Sequence, residues 1–139
     1  MRNPPLILIA DDDPAFREII STKLKSSGFW VAEAVDGKEA FEKVGSLLPD
    51  LLIIDVQMPN ENGTEAVLDI KRNKETAATK IIFLTSMEKP WPGIKADAQS
   101  FAKELGASRY INKTEDLDKA LATVKEVLGI PTVTTPKAN

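Results

Sequence analysis

The sequence predicts an α/β domain, a doubly wound three-layer sandwich in which helices cover both faces of a parallel sheet. Three observations carry this reading. Apolar runs of about five residues, rich in Ile, Leu and Val, alternate five times with segments of helical period. The runs are apolar on both faces, as strands buried between two helix layers are. Four of them also stop at a residue able to handle phosphate or a metal ion. In a parallel sheet those residues gather at the carboxyl edge, where open α/β sheets bind ligands.

The first strand is Leu6-Ile7-Leu8-Ile9-Ala10, which runs into Asp11-Asp12-Asp13. Asp13-Pro14 supplies an N-cap and first turn for a helix with the stripe Phe16, Ile19, Ile20 and Leu24, closed by Gly28. Trp30-Val31-Ala32-Glu33-Ala34 is the most polar strand and suits a sheet edge. Asp36-Gly37-Lys38-Glu39 reads as a capping box before Ala40, Phe41, Val44 and Leu48. Leu51-Leu52-Ile53-Ile54 runs into Asp55, and Ala66, Val67 and Ile70 follow Gly63-Thr64. Ile81-Ile82-Phe83-Leu84 runs into Thr85, followed by the stripe Ile94, Ala98, Phe101, Ala102 and Leu105, ended by Gly106. Tyr110-Ile111-Asn112 runs into Lys113, and Leu117, Ala120, Leu121, Val124 and Leu128 form the last stripe, ended by Gly129. Residues 1–129 therefore read as one domain, and 130–139, with two prolines and three threonines, as a tail or the start of a linker.

Composition narrows the chemistry. The chain has neither cysteine nor histidine, so disulfides, thiolate metal sites, the commonest zinc ligand and the commonest general base are all missing. A metal here must be held by oxygen, which favours Mg²⁺ or Ca²⁺. A formal charge of −3 with mixed signs gives no support for nucleic-acid binding. The apolar runs are far shorter than the roughly 20 residues that cross a bilayer, and the first residues are too short for a signal peptide. A cytoplasmic location without membrane attachment is the expectation.

Asp11, Asp12 and Asp55 would place three carboxylates within several ångströms. Like charges so close raise one another's pKa unless a cation intervenes. Mg²⁺ suits such a place, because it takes one or two carboxylates, some waters and a phosphate. A phosphoryl group on Asp55 would form an acyl phosphate, its charge offset by the metal, the Lys113 ammonium and the Thr85 hydroxyl. Each residue also has a plainer reading. The Asp run caps a helix, Asp55 ends a strand, Thr85-Ser86 caps a helix, and Lys113 is a solvated charge. Their joint placement at four strand ends favours the functional set, with Asp13 left to capping.

These residues resemble the receiver domain of two-component response regulators, over roughly residues 5 to 129. Asp11-Asp12 resemble its acidic pair, and Asp55 in Ile54-Asp55-Val56-Gln57-Met58-Pro59 resembles its phospho-acceptor. Asn60-Glu61-Asn62-Gly63 fits the following turn, Thr85-Ser86 the Thr and its small neighbour, and Lys113 the family lysine. Tyr110 sits where the family keeps a rotating switch aromatic; its plainer reading is a half-buried strand residue. The resemblance implies a flavodoxin-like, five-stranded parallel sheet in order 2-1-3-4-5 with five helices. It implies Mg²⁺ held by Asp12, Asp55 and the Gln57 main-chain carbonyl, with Asp11 acting through water. It implies a phosphoryl donor, either a sensor histidine kinase or a phosphotransfer protein. A downstream protein target would read the remodelled face of the fourth helix, fifth strand and fifth helix. The chain would act as a monomer or a phosphorylation-dependent dimer, and would catalyse only its own phosphorylation and dephosphorylation.

Two departures from the family pattern stand out. Thr114 follows Lys113 where many members have a proline after a cis bond; a cis bond to a non-proline residue costs about 2.5–4 kcal/mol, so a trans bond is expected. The stretch Ser86 to Gly93 is longer than usual, and Trp91 between two prolines is either a rigid partner anchor or a residue that packs the loop on its own domain. Rival readings are weaker. An Asp-nucleophile phosphohydrolase of the family kind would carry an acid where Gln57 stands, and Gln cannot shuttle a proton; Gln57 and Met87 would instead tune loss of the acyl phosphate. A flavin carrier would find its phosphate repelled by Asp11-Asp12-Asp13. A docking module independent of phosphorylation would leave the intact acidic and basic set without a purpose.

Overall fold

The computed structural model describes residues 1–58, 62–86 and 98–131. The expectations for Pro59, Asn60, Glu61, Met87, Trp91, Ile94 and the tail from residue 132 fall outside them. The element order is β1 (Leu6–Ala10), α1 (Pro14–Ser26), β2 (Trp30–Ala34), α2 (Gly37–Leu47), β3 (Leu51–Asp55), α3 (Gly63–Arg72), β4 (Lys80–Thr85), α4 (Ala98–Glu104), β5 (Arg109–Asn112) and α5 (Leu117–Leu128). All strand pairs are parallel, in the order β2-β1-β3-β4-β5, so the predicted architecture and topology hold. No helix among the described residues is long and apolar enough to cross a membrane.

The strands alternate between two cores because successive side chains leave opposite faces. Leu8, Ala10, Leu52, Ile54, Ile81 and Phe83 pack with Ala40, Val44, Val67, Ile70 and Ala102 of α2, α3 and α4. Ile7, Ile9, Leu51, Ile53, Ile82 and Leu84 pack with Ile20, Leu24, Val124 and Leu128 of α1 and α5. Leu51 to Ile54 are fully buried on both faces, as their unbroken apolar run implies. Each such side chain contributes about 1.5–3 kcal/mol by leaving water.

Helix ends follow their sequence signals with two adjustments. Asp13 caps α1 by accepting from the Ala15 and Phe16 amides at 3.0 and 3.4 Å. Gly129 closes α5 at φ 73°, a left-handed conformation that glycine takes without strain. The N-cap of α2 is Asp36, which accepts from the Glu39 amide at 2.8 Å, and the Glu39 carboxylate reaches back to accept from the Val35 amide at 3.1 Å. Leu48, assigned above to the apolar stripe of α2, is instead its left-handed C-cap at φ 47° and is exposed. Ile19, assigned to the stripe of α1, also faces solvent at 51% exposure. At the outer edge of the sheet, the Gln99 carboxamide donates to the Tyr110 carbonyl at 2.9 Å and accepts from its amide at 3.1 Å. It thereby occupies main-chain groups of β5 that an edge strand would otherwise offer to another chain.

These burial differences give a direct comparison. Ile53→Ala should destabilise the domain by about 2–5 kcal/mol, whereas Ile19→Ala should stay within about 0.5 kcal/mol of the native chain. Urea unfolding of both variants checks this.

Candidate functional site

Register brings the chemistry together. Ala10 pairs with Ile54, so Asp11 and Asp55 follow as neighbours at the ends of β1 and β3. Thr85 pairs with Asn112, which places Lys113 one step beyond the end of β5. Main-chain hydrogen bonds carry the ladder past these ends: Asp11 N–H to Ala34 at 3.1 Å, Val56 N–H to Leu84 at 2.9 Å, and Lys113 N–H to Thr85 at 2.7 Å. Strand alternation puts Asp11, Asp55 and Lys113 on the α1/α5 side of the sheet, whereas Thr85 and Tyr110 belong to the opposite side with Phe83.

The centre of the site is the Lys113 ammonium. It lies 2.5 Å from Asp11 Oδ2 and 2.6 Å from Asp55 Oδ2, with only 13% of its side chain exposed. The reading of Lys113 as a solvated surface charge is therefore excluded. Phe16 places its ring 4.9 Å from the same nitrogen and covers it from α1. Asp55 uses its other oxygen to accept from the Gln57 amide at 2.7 Å, so its carboxylate is fixed at both ends. Asp11 Oδ1 accepts from the Asp13 amide at 3.0 Å, which shapes the turn that carries Asp12.

Charge in this pocket is unbalanced. Asp11, Asp12 and Asp55 offer carboxylate oxygens that lie within 4.8 Å of one another. Burial raises the Asp11 pKa, and Asp55 adds to the rise, against the opposing pull of Lys113 and of the Asp13 amide. Burial alone would lower the Lys113 pKa, but its contacts with Asp11 and Asp55 outweigh it and hold the ammonium above its ordinary value. An all-oxygen donor set that carries more negative charge than Lys113 offsets fits a hard divalent cation such as Mg²⁺.

Several residues that serve the site carry no sequence signal of their own. Arg17 donates from Nη1 to the Asp11 carbonyl at 2.6 Å and from Nε to Glu33 Oε1 at 2.9 Å, tying the end of β1 to β2 and α1. Its spacing six residues after Asp11 means nothing until α1 folds back over the sheet. Gly63 is a matter of space: a Cβ there would lie 1.9 Å from the Asp55 carbonyl oxygen and 3.1 Å from Val56 Cα. The start of α3 can approach the end of β3 only because this position has no side chain. Asn112 and Thr114 form a side-chain turn around Lys113, at 2.9 and 2.8 Å. Tyr110 is half-buried against the core cluster that contains Phe83 and Ala102.

The sequence and the fold match known proteins. Residues 7–125 match the family model of the response regulator receiver domain. The chain is 33% identical over 124 residues to the DNA-binding dual master transcriptional regulator RpaA of Synechocystis, covering 89% of this chain and 49% of that protein. It is 28% identical over 123 residues to protein PilH of Pseudomonas aeruginosa, covering 88% of this chain and 97% of that protein. Among the relatives, the chain spans about half the length of several transcriptional regulators and a small part of a hybrid histidine kinase from Dictyostelium discoideum. Among solved structures, chemotaxis protein CheY4 of Vibrio cholerae superposes with a TM-score of 0.77 at 28% identity, over 88% of this chain and 98% of that one.

Two outcomes follow from the geometry. Gly63→Ala should cost about 1–3 kcal/mol of stability, since the new methyl meets main chain rather than a side chain that could move aside. Asp11→Asn should raise the urea midpoint in metal-free buffer near neutral pH. The raised pKa of Asp11 means that its ionised form opposes folding above the unfolded-state value, so an uncharged isostere relieves that term.

Proposed function

The chain belongs to the response regulator receiver domain family, and on that premise we propose that Asp55 accepts a phosphoryl group and that the domain acts as a phosphorylation-controlled switch in two-component signalling. The observation that carries the proposal is the Lys113 ammonium held between Asp11 and Asp55, with Asp12 alongside at the carboxyl edge of the sheet. The donor is a phosphohistidine on a kinase or phosphotransfer protein, and this chain, which has no histidine, is the recipient.

In the transfer step a carboxylate oxygen of Asp55 forms a bond to phosphorus. The phosphorus–nitrogen bond of the donor breaks, and its electron pair leaves with the imidazole nitrogen, which takes up a proton from solvent. The product is an acyl phosphate. Little covalent assistance is needed, so positioning and charge do most of the work. Lys113 already sits at Asp55 and follows the charge onto the transferred oxygens. Thr85, at the end of β4, supplies a hydroxyl from the other side of the sheet edge. Mg²⁺, held by Asp12, Asp55 and the Gln57 carbonyl with Asp11 acting through water, would offset the charge of the phosphoryl group when bound. Gln57 is neutral, two residues after Asp55, which supports a self-modifying switch over a hydrolase of external phosphate esters.

Thr85 and Tyr110 share one side of the sheet through the pairs Thr85–Asn112 and Phe83–Tyr110. Movement of Thr85 towards the phosphoryl group would vacate space on that side and favour an inward Tyr110. The change would bias the surface of α4, β5 and α5 that a downstream protein reads. Residues 1–129 form the receiver unit in this proposal, and 130–139 a tail or linker.

Incubation with acetyl phosphate and Mg²⁺, followed by intact-mass analysis, tests the acceptor. Asp55→Asn should abolish the phosphoryl adduct, while Thr85→Ala should still be labelled but lose the accompanying change in Tyr110. Equal labelling of the Asp55→Asn variant would sink the assignment.

A further inference from the structure

The Lys113 side chain ends between two carboxylates, yet it is a flexible four-carbon stem that loses rotamer freedom when fixed. Its reach is defined only if its Cα is held. On the amino-terminal side, the Lys113 amide donates to the Thr85 carbonyl at 2.7 Å. On the carboxyl-terminal side the main chain has left β5, and Thr114 lacks the ring by which a proline would set the backbone.

We propose that Asn112 is a positioning residue for Lys113, acting through a side-chain turn closed on Thr114. Asn112 Oδ1 accepts both the Thr114 amide, at 2.9 Å, and the Thr114 hydroxyl, at 2.8 Å. The Asn112 carbonyl also accepts from the Glu115 amide at 3.0 Å. One residue thus receives three hydrogen bonds that arch over Lys113, and the Lys113–Thr114 peptide between them is trans, as expected from the sequence. Asn side chains close such turns by mimicking a main-chain carbonyl. Thr114 is exposed, so its bonds to Asn112 compete with water and add little to global stability. Their consequence lies in the direction of the Lys113 stem, where misplacement by about 1 Å can cost up to a hundredfold in rate.

The inference rests on the reading of Asp55 as phospho-acceptor, and one experiment separates the two. The rate of acetyl phosphate labelling is measured against Mg²⁺ concentration, with urea unfolding to establish that each variant is folded. Asn112→Ala should slow labelling at saturating Mg²⁺ by about tenfold without changing the half-saturating Mg²⁺ concentration. Asn112→Asp, which keeps the acceptor, should stay within about threefold of the native chain. Thr114→Val, at an exposed position where folding is not at risk, should slow labelling by about threefold through loss of the hydroxyl bond alone. Native rates in Asn112→Ala and Thr114→Val would overturn the proposal, as would Asn112→Asp proving as slow as Asn112→Ala. Parallel loss of rate and Mg²⁺ affinity would also overturn it, by showing general loosening of the site. No labelling of the unsubstituted chain would instead overturn the acceptor reading, and the role of the turn with it.

Discussion

Everything at the carboxyl edge depends on one ammonium set among three carboxylates. Lys113 pairs with Asp11 and Asp55 at once, and Asp12 stands beside them without being neutralised by it. Burial makes this imbalance consequential, since water no longer screens the carboxylates fully. The site is stable enough to form because the fold around it is not negotiable. β1 and β3 are buried on both faces, and their ends cannot separate without exposing Ile7 to Ala10 or Leu51 to Ile54. Hydrophobic burial thus holds together charges that would otherwise move apart.

The same sheet divides the work between its two sides. Asp11, Asp55 and Lys113 lie towards α1 and α5, with Phe16 over the ammonium and Arg17 binding the Asp11 carbonyl. Thr85 and Tyr110 lie on the opposite side, with Phe83. The Thr85 carbonyl accepts from the Lys113 amide, which joins the ends of β4 and β5 where the two groups meet. Gln99 links β5 to α4 through both main-chain groups of Tyr110. A strand-end site and a helix face are therefore joined by a short chain of named contacts.

Much of this was legible in the sequence. The apolar runs marked the strands, and the residues at their carboxyl ends marked the edge on which Asp11, Asp55 and Lys113 meet, because a parallel sheet collects such ends on one side. Asp13 and Gly129 announced helix ends through chemistry local to their own turns. Where the reading failed, the reason was tertiary. Ile19 satisfies the helical period but points past the sheet, and Leu48 extends a stripe that the backbone abandons one residue earlier. Arg17 and Glu33 are sixteen residues apart and meet only across α1 and β2. Gly63 looked like a turn residue, while its indispensability comes from the main chain of Asp55 pressing against it. Thr114 looked like a lost proline, and only the structure reveals the Asn112 turn in its place.

The pocket carries more negative charge than Lys113 offsets, and a bound cation would balance it. The most direct measurement is urea unfolding of the intact chain over a series of Mg²⁺ concentrations, beside the Asp12→Asn variant. A ligand that binds only the folded state stabilises it in proportion to the logarithm of its concentration once the site saturates, by about 2.7 kcal/mol at one hundred times the dissociation constant. The midpoint should climb with Mg²⁺ in the native chain and climb much less in Asp12→Asn. A native midpoint that stays flat, or climbs equally in both proteins, would contradict it.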